Sequence, residues 1–193
     1  MTQLFNALKK VLNFSAERYL KTAGDLFIYQ GEYESALLMV EKTLEIEPQD
    51  PRALALKGDI LYCLNRDLEA LDVFNSLLAI YPTSLEALAS KAAVLDVLGK
   101  YREALNCCNA ALANLSDKSH YLLGSLYEQK LLILIALRRY READTLLKQA
   151  LLELDKTSKE YLVANYKGTI EQNLKYRRKL REYLGKHPYL KIV

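Results

Sequence analysis

Residues 51–84 read PRALALKGDILYCLNRDLEALDVFNSLLAIYPTS, and the same arrangement of small and apolar residues occurs again on both sides of this stretch. Alanine stands at positions 36, 70 and 104, leucine at 20, 54 and 88, glycine at 24 and 58, and proline at 48 and 82. Four independent columns therefore share a period of 34 residues. Such a period indicates a supersecondary unit that buries its apolar face by stacking on copies of itself.

The composition and the local signals indicate that these units are helical. The chain has 193 residues, of which 51% are hydrophobic and 26% charged, and it contains seven glycines and four prolines, too few for a loop-rich or all-β protein. Asp50 is the expected N-cap of a helix that starts at Pro51, and two capping boxes, Thr83 to Glu86 and Thr157 to Glu160, predict two further helix starts.

At these columns the sequence resembles the tetratricopeptide repeat, a pair of antiparallel helices called A and B. The resemblance covers residues 17–157 and implies an all-α fold, a right-handed superhelix of stacked helix pairs. Four repeats are expected, over residues 17–50, 51–84, 85–118 and 124–157. Ala143 follows Ala104 by 39 residues, so about five extra residues fall near 117–123, where they lengthen a loop or extend a helix.

Both ends of the chain are predicted to be capping segments. Residues 1–16 contain a short amphipathic helix over residues 2–12, with apolar side chains at helical spacing: Leu4, Phe5, Leu8, Val11 and Leu12. A helix on a membrane surface is the alternative interpretation. Residues 158–193 contain a second capping helix, whose apolar stripe is Leu162, Tyr166, Ile170 and Leu174. From about residue 175 this helix is expected to project from the body or to pack loosely.

The resemblance also implies where a partner would bind. Proteins with this repeat commonly hold a peptide or a partner helix on the concave surface formed by helices A, and the corresponding residues here are Arg18, Lys21, Asp25, Tyr29, Arg52, Asp59, Tyr62, Asp96 and Glu128. This surface would be basic at the first repeat, acidic in the middle and more apolar at the last, which suits a specific segment better than a long polyanion. The alternative is that these residues are only solvated.

One specialisation of the family is not matched. Its chaperone-tail clamps hold a carboxylate with lysine, asparagine and arginine side chains, but Asp25 and Glu86 stand at two of those positions and would repel the carboxylate. Binding of an acidic chaperone tail in that mode is therefore not expected.

The sequence offers little chemistry for catalysis. Two histidines and three cysteines form no zinc-ligand or disulfide pattern, and neither a phosphate-binding loop nor a Ser, His and acid constellation is found. Cys108 occupies a core position of its repeat and is interpreted as a small hydrophobic side chain. We therefore expect no enzymatic activity, no metal and no cofactor, and a reducing, cytoplasmic location without a signal peptide or a membrane span.

Three functions are compatible with these patterns. The first is a protein-binding module, an adaptor or assembly factor that holds a peptide or helix of another protein on its concave face. The second is contact with nucleic acid or an anionic membrane, because residues 156–193 contain ten basic and three acidic residues, among them Lys175, Arg177, Arg178, Lys179 and Arg181. The third is a homo-oligomeric scaffold.

Overall fold

The computed structural model describes the backbone of residues 2–116 and 121–186 and the side chains of residues 11–116 and 121–179. Within these residues the chain is all-α, as predicted. The helices are α1 (Thr2–Asp25), α2 (Tyr33–Ile46), α3 (Pro51–Cys63), α4 (Asp67–Ile80), α5 (Leu85–Val97), α6 (Tyr101–Asn114), α7 (Leu122–Ala136), α8 (Tyr140–Glu153), α9 (Lys156–Leu162) and α10 (Gly168–Lys186). Two compact units are formed, residues 1–114 (the first unit) and residues 115–193 (the second unit).

The first unit is a stack of three helix pairs. Helix α1 packs against α2, α3 against α4 and α5 against α6, while α2 contacts α3 and α4 contacts α5. The A helices of the second and third pairs, α3 and α5, also contact each other. This arrangement confirms the stacked pairs that the 34-residue period predicts for this part of the chain.

Small residues allow the helices of a pair to approach closely. Ala36, Ala70 and Ala104, one from each B helix, are fully buried. Gly58 of α3 faces the buried ring of Phe74, and a Cβ atom added to Gly58 would lie 2.5 Å from Phe74 Cζ. The glycine column therefore has a steric purpose at this position, because the ring fills the space that any side chain would occupy.

The turns between helices A and B share one backbone conformation. The residues at equivalent positions have positive φ angles: 68° at Gly31, 57° at Asn65, 70° at Gly99 and 55° at Arg138. Glycine adopts this left-handed conformation without strain and asparagine tolerates it, whereas a residue such as arginine is disfavoured there. The turn at Arg138 is therefore the strained member of the series.

Three predicted helix starts have different outcomes. Asp50 is confirmed as the N-cap of α3, because its carboxylate accepts hydrogen bonds from the backbone N–H groups of Arg52 and Ala53. The capping boxes at Thr83 and Thr157 are wrong. Ser84 caps α5 and Asp155 caps α9. Both residues have the extended backbone that an N-cap requires, and their side chains accept hydrogen bonds from the backbone N–H groups of Ala87 and Ser158, respectively.

Helix α1 differs from the prediction at the N-terminus. Residues 2–12 do not form a separate short helix, since α1 runs without a break from Thr2 to Asp25. A π-helical turn, Leu26–Gln30, continues α1 up to Gly31. That residues 1–16 cap the first repeat stays a prediction, and the side chains of Leu4, Phe5 and Leu8 lie outside the described residues.

The second unit contains one helix pair and a C-terminal segment. Helix α7 packs against α8, and α9, a π-helical turn at Val163–Lys167 and α10 all contact α8. Leu162 and Ile170 of the predicted stripe are fully buried. Helix α6 ends at Asn114 and α7 begins at Leu122, and residues 117–120 of the expected insertion lie outside the described residues.

The glycine column yields a prediction with opposite signs at two equivalent positions. Gly58→Ala should lower the thermal midpoint, because overpacking against Phe74 costs about 1–3 kcal/mol and exceeds the gain in helix propensity. Gly24→Ala should increase the free energy of unfolding by about 0.5–1 kcal/mol and so raise the midpoint, since nothing lies within 4 Å of the added Cβ. Thermal unfolding followed by circular dichroism measures both. A stabilised Gly58→Ala variant would contradict the packing argument.

The strained turn yields a second prediction. Arg138→Gly should stabilise the second unit by up to about 1 kcal/mol, because it removes the Cβ atom from a left-handed backbone conformation. Arg138→Ala is the matched control, since it shortens the side chain but keeps the Cβ atom. Equal effects of the two substitutions in thermal unfolding would show that side-chain length, and not backbone strain, is responsible.

Candidate partner-binding face

The exposed side of helices A in the first unit brings most of the predicted site residues together. We call this surface the helix-A face; it consists of Arg18, Lys21, Asp25, Tyr29, Arg52, Asp59, Tyr62, Cys63, Asp96 and Val97, all exposed or half-buried. An ion pair between Arg52 of α3 and Glu17 of α1, and a hydrogen bond between Ser90 of α5 and Asp59 of α3, connect the three helices across this surface.

The basic end of the helix-A face is smaller than the sequence indicates. Arg52 Nη2 donates to Glu17 Oε1 at 2.7 Å and to Asp50 Oδ2 at 2.8 Å. Both hydrogen bonds raise the pKa of Arg52, and the one to Glu17 has the larger effect. The two carboxylates also offset the positive charge of the guanidinium. The positive charge at this end therefore comes from the exposed side chains of Arg18 and Lys21.

The centre of the helix-A face is acidic and partly desolvated. Burial raises the pKa of Asp59 above its usual range, although the hydrogen bond from the Ser90 hydroxyl acts in the opposite direction. Burial also raises the pKa of Asp96. Neither carboxylate has an ion pair with a residue in the described part of the chain. Each therefore presents a negative charge that the protein leaves uncompensated.

Tyr62 lies in the middle of this acidic region. Its pKa is raised first by burial and then by the negative charges of Asp67 and Asp96. The phenol therefore stays protonated and can donate a hydrogen bond to a partner, while its ring offers an aromatic surface beside two carboxylates. Aromatic rings next to negative charge favour the side chains of lysine and arginine.

A line of exposed apolar side chains runs beside the acids. Tyr29, Cys63 and Val97 stand one repeat apart on the successive A helices, and 79% of Tyr29 and 58% of Val97 is accessible to solvent. Val97 was not among the predicted site residues. The 34-residue spacing from Cys63 identifies it, so the signal was present in the sequence.

Glu128, the predicted site residue of the second unit, is covered by the same unit. The hydroxyl groups of Tyr161 and Tyr166 both donate to Glu128 Oε1 at 2.7 Å, and the two rings meet edge to face with centroids 6.5 Å apart. Burial and the hydrogen bond to Glu128 raise the pKa of Tyr166. One carboxylate oxygen of Glu128 is therefore already engaged by the C-terminal segment, and a role of this half-buried residue in partner binding stays a prediction.

The predicted basic tail is not uniformly free. The guanidinium of Arg177 lies 5.2 Å from the ring centroid of Tyr140, at the start of α8, so this side chain packs on the body of the second unit. The expectation for the helix from residue 175 was projection or loose packing, and this exposed side chain agrees with loose packing. Lys175, Arg178 and Lys179 are exposed, and the side chain of Arg181 lies outside the described residues.

The remaining predictions concern Cys108, metal binding and membrane spans. Cys108 is fully buried in the first unit, in agreement with its interpretation as a core side chain. Within the described ranges, no group of three or more His, Cys, Asp and Glu side chains could hold a metal ion. None of the helices, over the residues that the structure describes, combines the length and apolar character needed to cross a membrane.

Comparison with known sequences gives one family. Residues 29–111 match the family described as anaphase-promoting complex, cyclosome, subunit 3. No curated protein matches the chain significantly.

Comparison with solved structures gives similar folds at low sequence identity. A tetratricopeptide-repeat protein of Parabacteroides merdae superposes with a TM-score of 0.68 at 20% identity, over 90% of this chain and 67% of that one. A thermophilic protein of the same type from Thermus thermophilus gives 0.63 at 21% identity, over 91% and 100%. PilF of Pseudomonas aeruginosa gives 0.67 at 16% identity, over 84% and 74%.

The family match lies within the first unit and spans parts of all three of its helix pairs. Together with the 34-residue period and the similar folds, it supports the assignment of the chain as a tetratricopeptide-repeat protein.

Proposed function

We propose that the chain is a protein-binding module, an adaptor or assembly factor, and that the helix-A face of the first unit holds a segment of another protein. The observation that carries this proposal is the apolar line Tyr29, Cys63 and Val97 beside the uncompensated carboxylates of Asp59 and Asp96. Aligned apolar side chains exposed to water are typical of a contact surface. The matched family is named for a subunit of a multiprotein complex, which is consistent with a role in assembly.

The charge and the apolar side chains of the helix-A face indicate which side chains a partner segment needs. Bringing a partly desolvated carboxylate next to a lysine or arginine of the partner compensates the charge that the free protein leaves unpaired. Apolar side chains of the partner would remove Tyr29 and Val97 from water. We therefore expect the bound segment, as a peptide or a helix, to combine basic and apolar side chains.

The basic tail supports the alternative function less well. Arg177 is engaged with Tyr140, and contact with nucleic acid or an anionic membrane requires basic side chains that are available together. We also propose a cytoplasmic location, with which the three free cysteines agree.

The proposed partner chemistry can be tested with an array of short peptides. Peptides that combine lysine or arginine with leucine or phenylalanine should bind, and binding should weaken with salt because partly exposed charges contribute. The Asp59→Asn, Asp96→Asn double variant should weaken binding about tenfold or more, as loss of roughly 1.4 kcal/mol would. Fluorescence anisotropy with a labelled peptide measures the affinity.

The matched control changes the same number of charges on the B helices. Asp72 of α4 and Glu103 of α6 are exposed and lie outside the helix-A face. The Asp72→Asn, Glu103→Gln variant should bind as the unchanged protein does. Equal weakening by both double variants, or a preference for acidic peptides, would contradict the proposal.

The same acids should lower stability when no partner is bound. Burial raises the pKa of Asp59 above its value in the unfolded chain, so the ionised carboxylate costs stability at neutral pH. The cost disappears as the pH falls and the group becomes protonated. Asp59→Asn should therefore raise the thermal midpoint at pH 7 by up to about 3 °C, and the difference should shrink near pH 4. Asparagine retains an acceptor for the Ser90 hydroxyl.

Asp72→Asn again serves as the control, since its side chain is exposed and its replacement should leave the midpoint nearly unchanged. Scanning calorimetry at the two pH values provides the measurement. A lower midpoint for Asp59→Asn at pH 7 would mean that the carboxylate stabilises the fold and is not kept for binding.

A further inference from the structure

The first eleven residues of α1 extend beyond the helices that pack on it. The Thr43 hydroxyl of α2 donates to the carbonyl oxygen of Ala16 at 3.4 Å, and α2 ends three residues later at Ile46. On the other neighbour, Arg52 at the start of α3 pairs with Glu17. The C-terminal end of α2 and the N-terminal end of α3 therefore both lie near residues 13–17 of α1. Residues 2–12, which we call the N-terminal extension, continue the helix for about 16 Å beyond them.

The N-terminal extension has the chemistry expected of a partner segment. Its sequence, TQLFNALKKVL, contains two lysines, five large apolar residues and no acidic residue. Among the residues whose side chains are described, Val11, Leu12 and the adjacent Phe14 are exposed, and 72% of Phe14 is accessible to solvent. A basic and apolar helix is thus present in the chain that also carries an acidic and apolar face.

The extension cannot reach the helix-A face of its own copy. Helix α1 is unbroken from Thr2 to Asp25, and Asp25 and Tyr29 lie at its opposite end. To turn back onto Asp59 and Asp96, the extension would have to break the helix that carries it. A helix that continues beyond its own neighbours can instead meet the helix-A face of another copy.

We propose that the N-terminal extension of one copy docks on the helix-A face of the first unit in a second copy. This inference rests on the proposed function and names an occupant for the same face. Charge complementarity supports it, because Lys9 and Lys10 would meet Asp25, Asp59 and Asp96. The contact joins two different surfaces, so it closes into a reciprocal dimer or a ring, or continues as a chain of copies.

The other basic segment of the chain fits the face less well. In α10 the apolar residue Ile170 is already buried in the second unit, and the residues that follow Leu174 are mostly charged. In residues 175–186 seven of twelve side chains are charged, Glu182 among them, and four are apolar or aromatic, whereas the N-terminal extension has two charged and five large apolar residues among eleven.

A charge exchange in the full-length chain tests the proposal. The first variant is Lys9→Glu with Lys10→Glu, and the second is Asp25→Lys with Asp96→Lys. The unchanged protein should associate as its concentration rises in sedimentation equilibrium, and less so at high salt. Each variant alone should associate at least about tenfold more weakly. An equimolar mixture of the two should associate again, because the unchanged basic extension of the second variant meets the unchanged acidic face of the first, and the acidic extension of the first meets the basic face of the second.

Controls keep the outcomes distinct. Circular dichroism reports whether each variant folds, and Asp25→Asn with Asp96→Asn replaces the lysine variant if that one does not. Asp72→Lys with Glu103→Lys, on the B helices, should associate as the unchanged protein does. The proposal is overturned if the unchanged protein stays monomeric up to about 1 mM, where even weak association is populated. It is equally overturned if the variants associate normally, or if two folded charge variants fail to associate when mixed.

Failure of this inference is distinguishable from failure of the proposed function. A protein that stays monomeric but still binds basic, apolar peptides through Asp59 and Asp96 has an open helix-A face and a different occupant. A protein that binds neither itself nor such peptides lacks the recognition surface altogether.

Discussion

The close approach of helices A and B at small residues is the constraint on which the structure depends. Gly58 leaves room for the buried ring of Phe74, and the fully buried alanine column of the B helices lets the two helices of each pair approach closely. A pair of two short helices cannot bury its apolar residues alone, so each interface stabilises the pair on either side. Because the core is made between helices, the outer surface of helices A is free to carry residues that serve other purposes.

The sequence predicted the features that follow from periodicity and local capping. The 34-residue columns give the helix pairs of the first unit, and Asp50 with Pro51 gives the start of α3, because both depend on neighbouring residues in the chain. The capping boxes at Thr83 and Thr157 failed since a neighbouring Ser84 and a nearby Asp155 offer the same chemistry, and sequence alone does not decide which residue takes the extended backbone.

The missed features depend on irregular backbone and on contacts distant in sequence. Tyr161 and Tyr166 are five residues apart, which places them about 140° apart around an α-helix, yet the π-helical turn between them lets both hydroxyls reach Glu128. No local sequence pattern predicts such a π-helical turn. Likewise, the Arg177 side chain packs on Tyr140, which lies in another helix of the second unit, so charge patterning alone indicated a free basic tail. The repeat thus predicts which positions of the A helices are exposed in the first unit, whereas the contacts that the second unit makes with itself leave no periodic signal.

The carboxylates of the two units differ in their partners. In the second unit Glu128 Oε1 already accepts two hydrogen bonds, so a partner that used this oxygen would have to replace them and would gain little. In the first unit the acids Asp59 and Asp96 are partly desolvated and lack an ion pair within the described residues. A charge that costs stability in the free protein is expected where a partner later compensates it, because selection for stability alone would remove it. Under the proposed function, these acids of the first unit would favour recognition of a basic segment.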